Sequence, residues 1–153
     1  MNTDVWVMQE INNTKTDNLG IPLPKGRVRF YRRDTDGALE FVGENEIKHT
    51  PLDETLRIPT GNAFDIVGER RQTNYQIDLS GHKIDESFEI KIRNHKKEPV
   101  KVILKENLYR WSQWEITVAS QKFQKHNSRT IHIPIEVAAD QEKIVTYTVK
   151  YSW

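Results

Sequence analysis

Three arginines and a tyrosine alternate along one short segment of the chain. They are Arg27, Arg29, Tyr31 and Arg33. In a β-strand, residues two apart lie on one face, so this spacing forms a basic stripe with an aromatic ring in it. Such a stripe could bind a phosphate backbone or an acidic polysaccharide. The alternative is a solvated sheet face whose charges prevent edge pairing with other chains.

The overall charge favours the solvated face. The 153 residues carry a formal net charge of +1, which gives no global field toward nucleic acid or anionic lipid. Glu40 lies across the predicted turn and could neutralise part of the stripe. We therefore predict no nucleic-acid partner, and we keep the stripe as a candidate binding surface.

Aromatic residues form the second candidate site. Trp111 and Trp114, with Tyr109 and Tyr31, could offer flat rings to the faces of sugars. The alternative is that these rings pack in the core, because large aromatic side chains dominate core burial.

Acidic residues do not form a recognisable catalytic or metal-binding motif. Glu44 and Glu46 would share one face of an extended segment, whereas His49 would not, so three converging ligands are not expected. Asp65 and Glu69 would be about 13 Å apart on a strand, too far for a pair of catalytic carboxylates. The chain also has no nucleophile elbow, zinc-protease motif or phosphate-binding loop. We predict no cofactor and no metal, and the sequence favours a protein without catalytic activity.

The elements that would position these residues are short strands. Val28 and Phe30 alternate with the basic stripe, the period expected of a half-buried strand. The sequence from Asp34 to Gly37 fits a type I turn, after which Leu39 and Phe41 are expected to continue the core face.

Further strands follow the same period of two. The sequence PTGN from Pro59 to Asn62 predicts a turn. Apolar residues at 88, 90 and 92 and at 100, 102 and 104 flank a polar loop, and this pattern predicts a hairpin. Alternating residues from Val145 to Trp153 predict a last strand whose tyrosines and tryptophan pack in the core or at the sheet end.

The length fits one domain, predicted over residues 1–153. Regular strands with turn signals and no helical period predict an all-β fold, an antiparallel, immunoglobulin-like two-sheet β-sandwich of about nine or ten short strands. The chain has no cysteine, and no apolar run approaches the ~18 residues that a membrane span needs. We expect a domain taken from the C-terminal part of a longer protein.

Three segments together resemble one known family. They are NLGIPLPKGRVRFYRRDTDGALEFVGENEIKHTP, GNAFDIVGER and the final YTVKYSW. They are similar to the C-terminal domain of the mucoidy-inhibitor-A-like family, a domain of unknown function. The resemblance implies a β-sandwich that follows another β domain and a coiled coil, in a bacterial protein exported to the envelope. It implies no catalytic residues.

Three functions remain open from the sequence. The first is a non-enzymatic interaction or structural module that binds a protein partner or its own upstream domains. The second is a hydrolase of envelope polymers that uses acids such as Glu44 and Asp65. The third is a carbohydrate-binding module that uses Trp111 and Trp114. We favour the first because the strand pattern is strong and no catalytic constellation accompanies it.

Overall fold

The computed structural model describes residues 5–153 and is all-β in that range. It contains eleven strands and one short 3-10 helix (Lys15–Asp17), with no α-helix among the described residues. Every strand pair is antiparallel, as predicted. The strands are β1 (Trp6–Asn12), β2 (Gly26–Arg33), β3 (Leu39–Ile47), β4 (Thr55–Asn62), β5 (Ile66–Asp78), β6 (Lys83–Asn94), β7 (Val100–Asn107), β8 (Trp114–Ala119), β9 (Gln124–Asn127), β10 (Thr130–Val137) and β11 (Glu142–Ser152).

The chain divides into two compact units. One comprises residues 5–63 and the other Phe64–Trp153, and we call them the N-terminal and C-terminal units. That the chain forms a single domain stays a prediction, and each unit is described here by itself.

The N-terminal unit contains two two-stranded sheets, β1–β4 and β2–β3. The predicted turn between β2 and β3 is confirmed, because the Gly37 N–H donates to the Asp34 carbonyl at 2.9 Å. Gly37 has a φ of +87°, a conformation that glycine adopts without steric cost.

The predicted turn at Pro59 is wrong, because β4 continues through it and pairs with β1. Proline has no N–H for a strand ladder, and it is tolerated at edges and bulges. Val7 pairs with Gly61, and the next residue, Met8, pairs with Pro59. One residue of β4 is therefore left without a partner, so β4 bulges beside the proline.

The C-terminal unit contains two open sheets. One has the strand order β5-β6-β11-β8 and the other β7-β10-β9. Alternate side chains of their central strands are buried, which confirms the period of two. The buried apolar residues of these strands are Phe88, Ile90, Ile92, Ile131, Ile133, Ile135, Val137, Val145, Tyr147, Val149 and Tyr151.

The predicted hairpin between β6 and β7 is wrong. β6 pairs with β5 and β11, whereas β7 pairs with β10, so the chain leaves one sheet and enters the other. The fully buried Asn94 holds this crossing, since its Nδ2 donates to the carbonyl oxygens of Glu98 and Ala138 at 2.8 and 3.0 Å. An alternating apolar pattern suits neighbouring strands and strands of facing sheets equally, and the loop length did not distinguish them.

Buried polar contacts join the two sheets of this unit. The Glu106 carboxylate on β7 accepts from the Tyr147 hydroxyl on β11 at 2.5 Å and from Arg70 Nε on β5 at 2.8 Å. The inner faces of both sheets therefore share one interior. The immunoglobulin-like arrangement stays a prediction, and the structure has eleven strands where about nine or ten were expected.

Two isoleucines of the β7–β10 pair test which face is the core. Ile133 is 1% exposed and Ile103 is 49% exposed. We expect Ile133→Ala to lower the free energy of unfolding by about 2–5 kcal/mol, because it leaves a cavity. Ile103→Ala should change it by about 0.5 kcal/mol or less. Urea denaturation of both variants measures the difference, and equal losses would contradict the assigned inner face.

Candidate functional site

The basic stripe lies on one face of the β2–β3 hairpin, as the spacing predicted. Arg29 faces Glu44 across the strands, and Tyr31 faces Phe41. All four residues of the stripe are exposed. The stripe is therefore available to a ligand, and its charge decides which ligand.

Glu44 partly neutralises the base of this stripe. One carboxylate oxygen forms an ion pair with Arg27 at 3.3 Å, and the other accepts a hydrogen bond from Arg29 at 3.1 Å. The predicted neutralising residue, Glu40, pairs with Arg32 instead, at 3.4 Å. One carboxylate balances one of the two guanidinium charges and so reduces what this part of the hairpin offers a polyanion, which favours the solvated face.

The outer end of the same face is apolar. The rings of Tyr31 and Phe41 meet edge to face with centroids 5.7 Å apart, and each is more than half exposed. Leu39 is also exposed, so the prediction that Leu39 and Phe41 belong to the core is wrong. A two-stranded sheet has too few neighbours to cover both faces, and the register shift after Phe30 re-aims this end. We call Tyr31, Arg33, Leu39 and Phe41 the hairpin tip.

The structure places the two candidate tryptophans in different surroundings. Trp114 on β8 is half-buried, donates from Nε1 to the Ser128 carbonyl at 2.7 Å, and has Lys125 over its ring at 4.9 Å. Trp111 is exposed and lies beside Trp153, with ring centroids 5.6 Å apart. Neither ring is fully buried, so the hypothesis that these tryptophans bind sugars remains open.

Two tyrosines extend the surface around Trp111. Arg110 lies over the ring of Tyr75 at 5.0 Å and over that of Tyr109 at 5.3 Å, and both rings are exposed. His82 packs edge-on against Trp153 at 5.9 Å. We call Tyr75, Tyr109, Trp111 and Trp153 the aromatic cluster. It is built from β5, from the loop between β7 and β8, and from the residue after β11.

A buried carboxylate holds the arginine within this cluster. Glu86 is fully buried, and its Oε1 accepts from Arg110 and from Gln72, each at 2.7 Å. This hydrogen bond raises the pKa of Arg110, although burial opposes the shift. Burial, followed by the charge of Glu86, raises the pKa of Tyr151.

The pair is not fully satisfied. Glu86 Oε2 and Arg110 Nε are buried and have no hydrogen-bond partner. Each unpaired buried group costs about 1–3 kcal/mol, and such groups in native proteins call for an explanation. Sequence analysis missed both residues, although Glu86 is in phase with the apolar positions 88, 90 and 92 of the same strand.

Among the described residues, the acidic candidates are not gathered into a group that could hold a metal ion. His49 accepts a hydrogen bond from the Lys25 N–H at 3.2 Å, and Glu69 pairs with Arg93 at 2.6 Å. Among residues 5–153, no three histidine, aspartate or glutamate side chains are grouped to hold a metal ion.

Comparison of the chain with protein-family models, with curated proteins and with solved structures finds no match in any of the three. The resemblance to the mucoidy-inhibitor-A-like family therefore stays a prediction. No helix in the described range has the length and apolar character needed to cross a membrane.

The compensated stripe predicts weak binding to polyanions. We expect the chain to leave heparin resin at low salt, and Glu44→Gln to leave it at higher salt because Arg27 and Arg29 lose their partner. Glu46→Gln is the matched control, since it removes the same charge from the same strand. Tight binding of the unmodified chain, or equal elution of both variants, would contradict this interpretation.

We expect substitution of the buried Glu86 to lower stability more than substitution of Glu89, which lies on the opposite face of β6. Glu86→Gln should lower the free energy of unfolding by about 3 kcal/mol, because Arg110 loses its buried counter-charge. Glu89→Gln removes a more exposed ion pair with Arg71 and should cost at most about 1 kcal/mol. Denaturant unfolding of both variants gives the comparison, and a larger loss for Glu89→Gln would contradict it.

Proposed function

We propose that this chain is a non-enzymatic interaction module that binds a protein partner, or the upstream domains of its own protein, through the hairpin tip. The observation that carries the proposal is the exposed pair of Tyr31 and Phe41 at the end of a two-stranded sheet. The β-sandwich expected from the sequence would serve as the scaffold.

The composition of the hairpin tip supports this function. Tyrosine, phenylalanine and arginine are enriched in the centres of protein interfaces. Among the described residues, no acidic side chain forms an ion pair with Arg33, so its charge remains available to a partner. An isolated two-stranded ribbon is marginally stable in water, so covering its apolar end would also stabilise it.

The hydrolase alternative has less support. Both oxygens of Glu44 are engaged by arginines on an exposed hairpin. The resemblance, which is untested, is the only source for a bacterial envelope location, so the location remains part of the proposal.

The test requires a purified partner. The immobilised chain is exposed to soluble and membrane extracts of the cells that encode it, and a retained protein is then purified and its affinity measured. We expect Tyr31→Ala and Phe41→Ala each to weaken binding about 10-fold or more, the effect of losing an interface anchor.

Ile144→Ala is the matched control, because Ile144 is an exposed apolar residue of the C-terminal unit. It should leave the affinity unchanged. A chain that retains no protein and stays monomeric by native mass spectrometry would overturn the proposal, and so would a partner whose affinity ignores both tip variants.

A further inference from the structure

The C-terminal unit carries a second exposed surface that the proposed function does not use. Three separate segments of the chain contribute a ring to the aromatic cluster. Trp111 and Trp153 are 47% and 38% exposed. Each therefore has one part packed and another open to solvent, as a ring must have if it is to stack on a ligand.

The rings of this cluster are held in place before any ligand arrives. Trp153 contacts both Trp111 and His82, and its backbone N–H donates to the His82 carbonyl at 3.2 Å. Arg110 stacks on Tyr75 and Tyr109 while its Nη2 is bonded to Glu86. A ligand that binds here would not have to order these side chains, which lowers the entropic cost of binding.

The electrostatics of the cluster decide the class of ligand. Arg110 is the cation that lies over the tyrosine rings of the cluster, and the fully buried Glu86 compensates its charge. A polyanion would gain little there. The Arg110 side chain is still 31% exposed, and its guanidinium can donate to uncharged oxygen atoms through N–H groups other than the buried Nε.

Apolar faces beside a fixed donor fit a pyranose ring. A sugar presents C–H groups to an aromatic face and hydroxyl oxygens to a donor at its edge. The unpaired Glu86 Oε2 and Arg110 Nε are a second observation at the base of the same surface. Buried polar atoms without a partner call for an explanation, and a functional site beside them is one.

We propose that the aromatic cluster is a binding site for an uncharged polysaccharide, with Trp111 and Trp153 stacking on sugar faces and Arg110 donating to hydroxyl groups. Glu86 positions Arg110 and does not touch the sugar. The cluster shares no residue with the hairpin tip, so variants can test the two functions independently.

Native affinity electrophoresis of the whole chain tests this site. Hydroxyethyl cellulose, galactomannan and glycogen serve as uncharged probes, and hyaluronan serves as an acidic one. We expect at least one uncharged polysaccharide to retard the chain, and Trp111→Ala to weaken that retardation at least 10-fold. Trp111→Phe keeps a ring and should retain part of the retardation. That result would show that the loss in Trp111→Ala is not a folding defect.

Trp6→Ala is the matched control, because Trp6 is an equally exposed tryptophan of the N-terminal unit. Together with Phe41→Ala at the hairpin tip, it should leave retardation unchanged. The proposal is overturned if none of the three uncharged probes retards the chain, if hyaluronan alone does so, or if Trp6→Ala weakens retardation as much as Trp111→Ala. If Trp111→Ala loses binding to a purified protein partner, and no polysaccharide retards the chain, the cluster would instead be a protein interface.

Discussion

The architecture of the C-terminal unit depends on how its interior accommodates charge. Arg70, Glu106 and Tyr147 come from three strands of two sheets and meet in one hydrogen-bonded network. Burial lowers the pKa of Arg70, but the charge and hydrogen bond of Glu106 outweigh this effect, and the net shift is upward. Arg70 also lies 3.7 Å from the centre of the Phe88 ring. The network therefore links β5, β7 and β11, and each buried charge in it has a partner.

A second buried glutamate, on the other sheet of this unit, behaves differently. Glu106 has its arginine and a tyrosine hydroxyl on one oxygen, whereas Glu86 keeps a buried oxygen unpaired beside an unpaired Arg110 Nε. The first pair lies in the interior, and the second reaches an exposed aromatic surface. This contrast separates a contact that holds the fold from one that supports a candidate site, although both are arginine–glutamate pairs.

The sequence was sufficient to predict elements whose pattern is local. The period of two from residue 88 to 92 and the turn from Asp34 to Gly37 were both recognised, and both are present in the structure. Pairing between distant strands was not predictable in this way. The alternating pattern of β6 and β7 fits partners in one sheet or in two facing sheets, and only three-dimensional packing distinguishes these arrangements. Proline and glycine at 59 and 61 suggested a turn, but a bulge accommodates them within a strand.

The candidate sites were predicted only in part, for the same reason. The basic stripe follows from spacing alone. Its partial neutralisation by Glu44 depends on the pairing register of β2 and β3, which the sequence pattern does not determine. Trp111 was recognised, while its neighbour Trp153 lies 42 positions away along the chain and becomes a neighbour only when β11 is in place.

Local pairing of charge has a consequence for recognition. Glu44 balances part of the charge of Arg27 and Arg29, and Glu86 balances that of Arg110, so local pairing reduces the charge that each surface offers a polyanion. What remains for selective binding is ring area, at the hairpin tip and at the aromatic cluster. The tip presents exposed apolar side chains beside Arg33 and suits a protein surface, whereas the cluster combines ring faces with a fixed donor and suits a smaller polar ligand. The two surfaces therefore differ in the partner that they fit.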